Sequence, residues 1–159
     1  MKRTLMRRQV LKIVGGMALS PWSLPAASAQ ADGVEQTVAA LLAATEEGSI
    51  LQIDLEDLCH TLKLCGNSPA CFTATHHDAN KVLDACRDAL AQMPSHGVKV
   101  AVVVCSGNGK NFRLTNCAEV FRVVQHAMYE SAYLVFGVVS DPTLVDVMRV
   151  SWLAGVPDG

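Results

Sequence analysis

Acidic residues are absent from the first 31 positions, and basic residues are scarce after the first dozen. Of the 13 Lys and Arg, five (Lys2, Arg3, Arg7, Arg8 and Lys12) fall within the first twelve residues, leaving eight to face all 15 Asp and Glu. From residue 30 onward the chain is therefore strongly acidic, which argues against nucleic acid or an anionic membrane surface as a partner. An apolar run of bilayer length is also missing. The stretch from Ile13 to Leu24 is interrupted by Gly15, Gly16, Ser20 and Pro21, short of the roughly 20 apolar residues that a spanning helix needs. No stable membrane anchor is expected.

Motifs that carry metal or phosphate chemistry are missing too. There is no Cys-x-x-Cys and no pair of histidines four apart, the spacings that place two ligands on one metal. His76 and His77 are the remaining candidates for ligands, but neighbours diverge in a strand. Ser106-Gly107-Asn108-Gly109-Lys110 follows an apolar run and looks at first like a phosphate loop. A P-loop, however, needs glycine where Val104 stands and Ser or Thr where Asn111 stands. An ordinary glycine turn accounts for these residues. No cofactor is expected, with a metal assembled from distant segments as the one open alternative.

What is present at the amino terminus is the layout of an export signal: a basic segment, a mild apolar stretch, and the small-x-small pattern Ala27-Ser28-Ala29. Arg7-Arg8-Gln9-Val10-Leu11-Lys12 resembles the twin-arginine motif, whose receptor reads the arginine pair. The expectation is a signal over residues 1–29, recognised through Arg7 and Arg8 by the twin-arginine export machinery. One domain over residues 30–159 would then act in the periplasm or outside the cell. Half of the residues are apolar, enough for a single core.

All six cysteines (Cys59, Cys65, Cys71, Cys86, Cys105 and Cys117) lie after residue 29. An even count suits disulfides in an oxidising compartment. Twin-arginine cargo generally folds while thiols are still reduced, so buried free cysteines are the alternative. Cys65 and Cys71 are the preferred pair, because the loop from Gly66 to Ala70 can bring a helix end beside the next strand.

Apolar spacing predicts a helix over residues 34–47, stopped by Gly48. A second starts at Asp54, with Leu55, Leu58, Cys59 and Leu62 as one buried stripe. A short strand follows at 70–75, then a third helix ending before Pro94. Val98 to Cys105 is nearly all β-branched, as in a central strand buried on both faces. A fourth helix carries Cys117, Val120, Phe121 and Val124. A strand over 132–139 follows, then a turn forced by Asp141-Pro142, and a final strand over 146–154. Alternating strands and helices favour a mostly parallel sheet of these four strands in an α/β fold.

Gln52-Ile53-Asp54-Leu55-Glu56-Asp57 puts two carboxylates one helical turn apart at a helix start. Asp54 and Asp57 so placed can cap free amides, and they can also orient a water molecule. Here the chain resembles the synergy loop of the FtsZ/tubulin family, whose pattern is Asn-x-Asp-Phe-Ala-Asp. The similarity continues in register through residues 78–92 and 98–107. It is strongest over 131–150, where Ala132, Gly137, Asp141, Asp146, Arg149 and Val150 follow the family's Ala-Asn-x-Ile-x-Gly signature and its sequel.

The resemblance implies the family's carboxyl-terminal two-layer domain, with residues 34–47 as its joining helix and helices over 78–92 and 115–129 covering the sheet. No tubulin-type glycine-rich signature precedes the joining helix, so the GTP-binding half is not expected here. In the family, the aspartates matching Asp54 and Asp57 help hydrolyse GTP held by the next subunit of a filament. Gln52 and Glu56 depart from that loop pattern. The resemblance, set beside the export signal, implies a non-enzymatic interaction or assembly module whose partner is another protein or a second copy. The alternatives are a periplasmic redox or metal-handling protein, and a GTPase-activating half that works in trans.

Overall fold

The computed structural model describes residues 2–15, 30–66, 69–93 and 98–155. The elements run α1 (Lys2–Gly15), α2 (Gln30–Ala43), α3 (Leu55–Leu64), β1 (Ala70–His76), α4 (Ala79–Ala91), β2 (Val98–Asn108), α5 (Leu114–Ala127), β3 (Met128–Val145) and β4 (Met148–Gly155). The expected cleavage pattern at Ala27-Ser28-Ala29 lies outside the described residues, as do Pro94 and Asn67-Ser68 of the 66–69 loop.

The strands form one sheet in the order β1-β4-β2-β3. The expected α/β architecture holds, but the sheet is mixed rather than mostly parallel. Only β2 and β3 pair in parallel, while β4 runs antiparallel to both β1 and β2. The connection explains the direction of β4. It leaves β3 through two residues, Asp146 and Val147, too few for a parallel crossover. The chain passes beneath the end of β2, where a Cβ on Gly107 would lie 2.7 Å from the Val147 carbonyl oxygen and 2.6 Å from the Phe112 ring.

The turn expected at Asp141-Pro142 is displaced to Asp146, the one described non-glycine residue with a left-handed backbone (φ 52°). Pro142 instead continues β3. That strand is at the edge of the sheet, where a missing ladder donor costs little. Asp141 stiffens the segment by accepting from the Thr143 N–H at 2.9 Å and its hydroxyl at 2.6 Å.

Burial on both faces of β2 follows from its alternation. Ala101, Val103 and Cys105 join the core beneath α4 and α5; Val102 and Val104 join a second core with α2 and α3. In the first core the Phe72 and Trp152 rings stack at 4.0 Å and 19°, a geometry that adds to their area burial. In the second, Leu41, Ala44, Ile53, Leu58 and Leu62 close over the sheet. The same alternation sorts the thiols. Cys86, Cys105 and Cys117 lie on one side of the sheet, and Cys59 and Cys71 on the other.

Candidate functional site

Residues 49–54 run along β3 at Val138, and three further connecting segments, 77–78, 109–113 and 146–147, follow the carboxyl ends of β1, β2 and β3. The first of these is tied down from both sides. Leu51 exchanges backbone hydrogen bonds with Val138 of β3, at 3.1 and 3.0 Å, and the Ile53 N–H donates to the Ala44 carbonyl at 2.8 Å. The Gln52 amide donates to the Thr45 carbonyl at 3.0 Å. Gln52 thus holds the loop to the residues just after α2. Ile53 is the anchor, buried against Gly137 of β3.

This anchoring delivers Asp54 to the first turn of α3 in extended backbone, φ −68° and ψ 135°. Its Oδ1 accepts from the Glu56 N–H at 2.7 Å, so Asp54 is the helix cap. Asp57 sits one turn on, exposed, where its charge suits the positive end of the helix dipole. The two carboxylates are brought together at one helix start, as the sequence implies.

The rest of the face is built by a similar exchange. Asp146 accepts from the Lys110 N–H through Oδ1 at 3.2 Å, and its carbonyl accepts from the Asn111 amide at 2.8 Å. Asp78 caps α4 by accepting from the Asn80 N–H at 2.9 Å. Between these segments lies an open polar hollow of about 410 Å³, lined by His77, Asp78, Asn80, Lys110, Arg113 and Asn116 among others. Apolar side chains also point outward here. Ile50 (50 % exposed) and Leu51 (45 %) of the first segment, Leu114 (60 %) at the start of α5 and Val145 (68 %) at the end of β3 are large hydrophobic residues left in solvent.

The metal candidates do not converge. His76 and His77 are both exposed with ring centres 6.3 Å apart, and His76 Nδ1 accepts from the Asp78 N–H at 2.9 Å. Among the described residues no three His, Cys, Asp or Glu side chains are arranged to hold a metal.

All six cysteines are buried free thiols, so Cys65 and Cys71 are not joined here. Cys71 instead approaches the Thr37 hydroxyl at 3.3 Å. Burial pushes the Cys65 and Cys86 thiols up to about 12. Cys105 and Cys117 share a hydrogen bond, which raises the first and lowers the second.

The basic amino-terminal segment is helical as α1, and α1 lies on α3. Arg7 and Arg8 are both exposed, and Arg7 meets Glu46 at 3.1 Å. Two features of the site were not anticipated from sequence: the hinge at Asp146 and the docking of α1. A signal for the second does exist, since an acid-free helix carries charge opposite to Glu46, Glu47 and Glu56.

No protein-family model matches the sequence, and no curated protein does. Solved structures do match in shape. A tryptophan-to-tyrosine mutant of FtsZ from M. jannaschii superposes with a TM-score of 0.64 at 16% identity, over 84% of this chain and 42% of that one. An empty FtsZ dimer from M. jannaschii gives 0.62 at 17%, over 94% and 43%. CetZ2 from Haloferax volcanii, a GTPγS-bound protofilament, gives 0.53 at 18%, over 84% and 43%. The chain thus spans less than half the length of these neighbours. At such identities the shared property is the fold, and the chain has the fold of an FtsZ/tubulin-type carboxyl-terminal domain.

Proposed function

We propose that this chain is an exported, non-enzymatic assembly module that associates with a second copy through the strand-end face around Asp54. The observation that carries this reading is the exposure of four large apolar side chains, Ile50, Leu51, Leu114 and Val145, in or beside the connecting segments. A protein contact would cover these side chains. Similar structures described as a dimer and as a protofilament add support for self-association.

The export part rests on Arg7-Arg8, the acid-free amino terminus and the small-residue pattern at 27–29. It is tested by fractionating cells that express the tagged chain. A product starting near Gln30 should appear outside the cytoplasm and be lost when Arg7 and Arg8 are both replaced by Lys. The assembly part is tested by light scattering of the exported product. Its mean mass should rise with concentration above that of one chain. A cytoplasmic, uncleaved product would overturn the first part, and a constant monomer mass the second.

A further inference from the structure

Helix α1 buries one apolar stripe and leaves Leu5 and Leu11 exposed on its remaining surface. Met6, Val10 and Ile13 fall at i, i+4 and i+7 and pack into the core that holds Leu55, Leu58, Cys59 and Leu62 of α3. Val10 is fully buried, and the Cys59 thiol donates to the Met6 carbonyl at 3.8 Å. Around this stripe the charges are segregated. The helix contributes Lys2, Arg3 and Arg7 and no acid; the body contributes Glu46, Glu47 and Glu56.

Lys2 meets Glu56 at 2.6 Å, and Arg3 meets Glu46 at 3.1 Å and the Thr45 carbonyl at 2.6 Å. Arg7 meets Glu46 at 3.1 Å and Arg3 meets Glu47 at 4.0 Å. These ion pairs are solvent-exposed, a class that holds weakly and yields to salt. Of the stripe only Val10 is fully buried, with Met6 and Ile13 partly so. The helix therefore sits on a shaped and charged face without being locked to it.

We propose that the α3 face beneath α1 is a binding groove for a basic helix of another protein that carries the same buried stripe, and that residues 2–15 hold the groove closed until they are displaced or removed. The occupant's chemistry is set by the one helix that fits: apolar residues at i, i+4 and i+7, Lys or Arg toward Glu46, Glu47 and Glu56, and no acid. An acidic peptide meets those three carboxylates and is repelled. The groove adjoins the loop that carries Asp54, but its test reads Cys59 reactivity and peptide binding rather than self-association, so failure of one reading is distinguishable from failure of the other.

The test uses the full-length chain and a variant carrying Arg3→Glu, Arg7→Glu and Val10→Asp, which undocks α1. Alkylation of Cys59 is followed by peptide mass analysis, and binding of a labelled synthetic peptide of residues 2–15 by fluorescence anisotropy. In the variant, Cys59 should react about tenfold faster or more, while Cys86, Cys105 and Cys117 stay protected and report an intact core. The peptide should bind the variant saturably and the parent about tenfold more weakly, because the parent groove is occupied in cis. A peptide of the same composition in scrambled order should not bind.

A second variant, Glu46→Lys with Glu56→Lys, alters the body rather than the helix. It should expose Cys59 yet bind no peptide, which keeps the test decisive if the triple variant misfolds. Equal Cys59 rates, or equal binding of the ordered and scrambled peptides, would overturn the proposal. So would a full-length dimer that dissociates with the same substitutions, since the occupant would then be α1 of a second copy.

Discussion

Gly137 of β3 and Ile53 of the connecting loop touch so closely that a Cβ on Gly137 would lie 2.9 Å from Ile53 Cδ1 and 2.8 Å from the Ala44 Cβ. Glycine is needed there for space rather than for backbone freedom. The contact presses the loop against the sheet and sets where Asp54 and Asp57 stand. Gly137→Val should therefore cost about 1–3 kcal/mol by overpacking. It should also loosen the loop, which urea denaturation and amide exchange at Leu51 and Ile53 would measure together. An unchanged Leu51 exchange rate would show that the bridge to Val138 alone suffices.

The two aspartates at the start of α3 should separate cleanly in stability. Asp54 holds the Glu56 N–H at 2.7 Å, and its replacement by Ala should cost about 1 kcal/mol, the usual worth of a helix cap. Asp57→Ala should cost at most about 0.5 kcal/mol, a dipole contribution at an exposed site. Thermal melts at low and high salt would check both, with the Asp57 effect fading as salt rises.

Asp146 and Gly109 form the other brace of the strand-end face. Gly109 has φ 86°, and a Cβ there would meet the Asp146 carboxylate. Gly109→Ala should cost at least about 1 kcal/mol, combining left-handed strain with that clash. Asp146→Asn should be nearly neutral, because Asn tolerates the left-handed backbone and keeps an acceptor for the Lys110 N–H. Denaturation midpoints of the two variants give the comparison.

Alkaline pH should weaken the fold through the buried thiols. Cys65 and Cys86 hold their protons up to about 12 in the folded chain, against the ordinary value of 9.0 when unfolded. Their contribution is complete below pH 9 and is lost as pH rises from 9 toward 12, since only the unfolded chain can release the protons in that window. At pH 10 the loss is about 1.4 kcal/mol per thiol. Unfolding free energies from urea titrations should therefore fall less between pH 8 and pH 10 for Cys86→Ala than for the parent, by about 1 kcal/mol. An equal fall would assign the alkaline loss to other groups.

Much of the framework is legible in the sequence because single stripes decide it. Leu55, Leu58, Cys59 and Leu62 mark α3 and its buried face, and the Val98 to Cys105 run marks the strand covered on both sides. Strand direction is less legible, because β4 is placed by a two-residue reversal under β2 and not by any pattern in β4 itself. The Asp141-Pro142 pair misleads for a related reason. Proline signals a turn only where its missing donor matters, and on an edge strand it does not. Asp54 and Asp57 are legible as a pair through their spacing at a helix start. The docking of α1 is half legible: its acid-free basic charge stands in the sequence, but only the fold brings the acids at positions 46, 47 and 56 to one rim.

Self-association through the strand-end face is tested most directly by sedimentation velocity on the product starting near Gln30, compared with a variant carrying Ile50→Asp and Val145→Asp. Both residues are exposed, so the substitutions leave the core untouched. The product should show a sedimentation coefficient that rises with concentration, and the variant should stay a monomer with the same melting temperature. Identical sedimentation of the two at every concentration would contradict the assignment of this face as the contact surface.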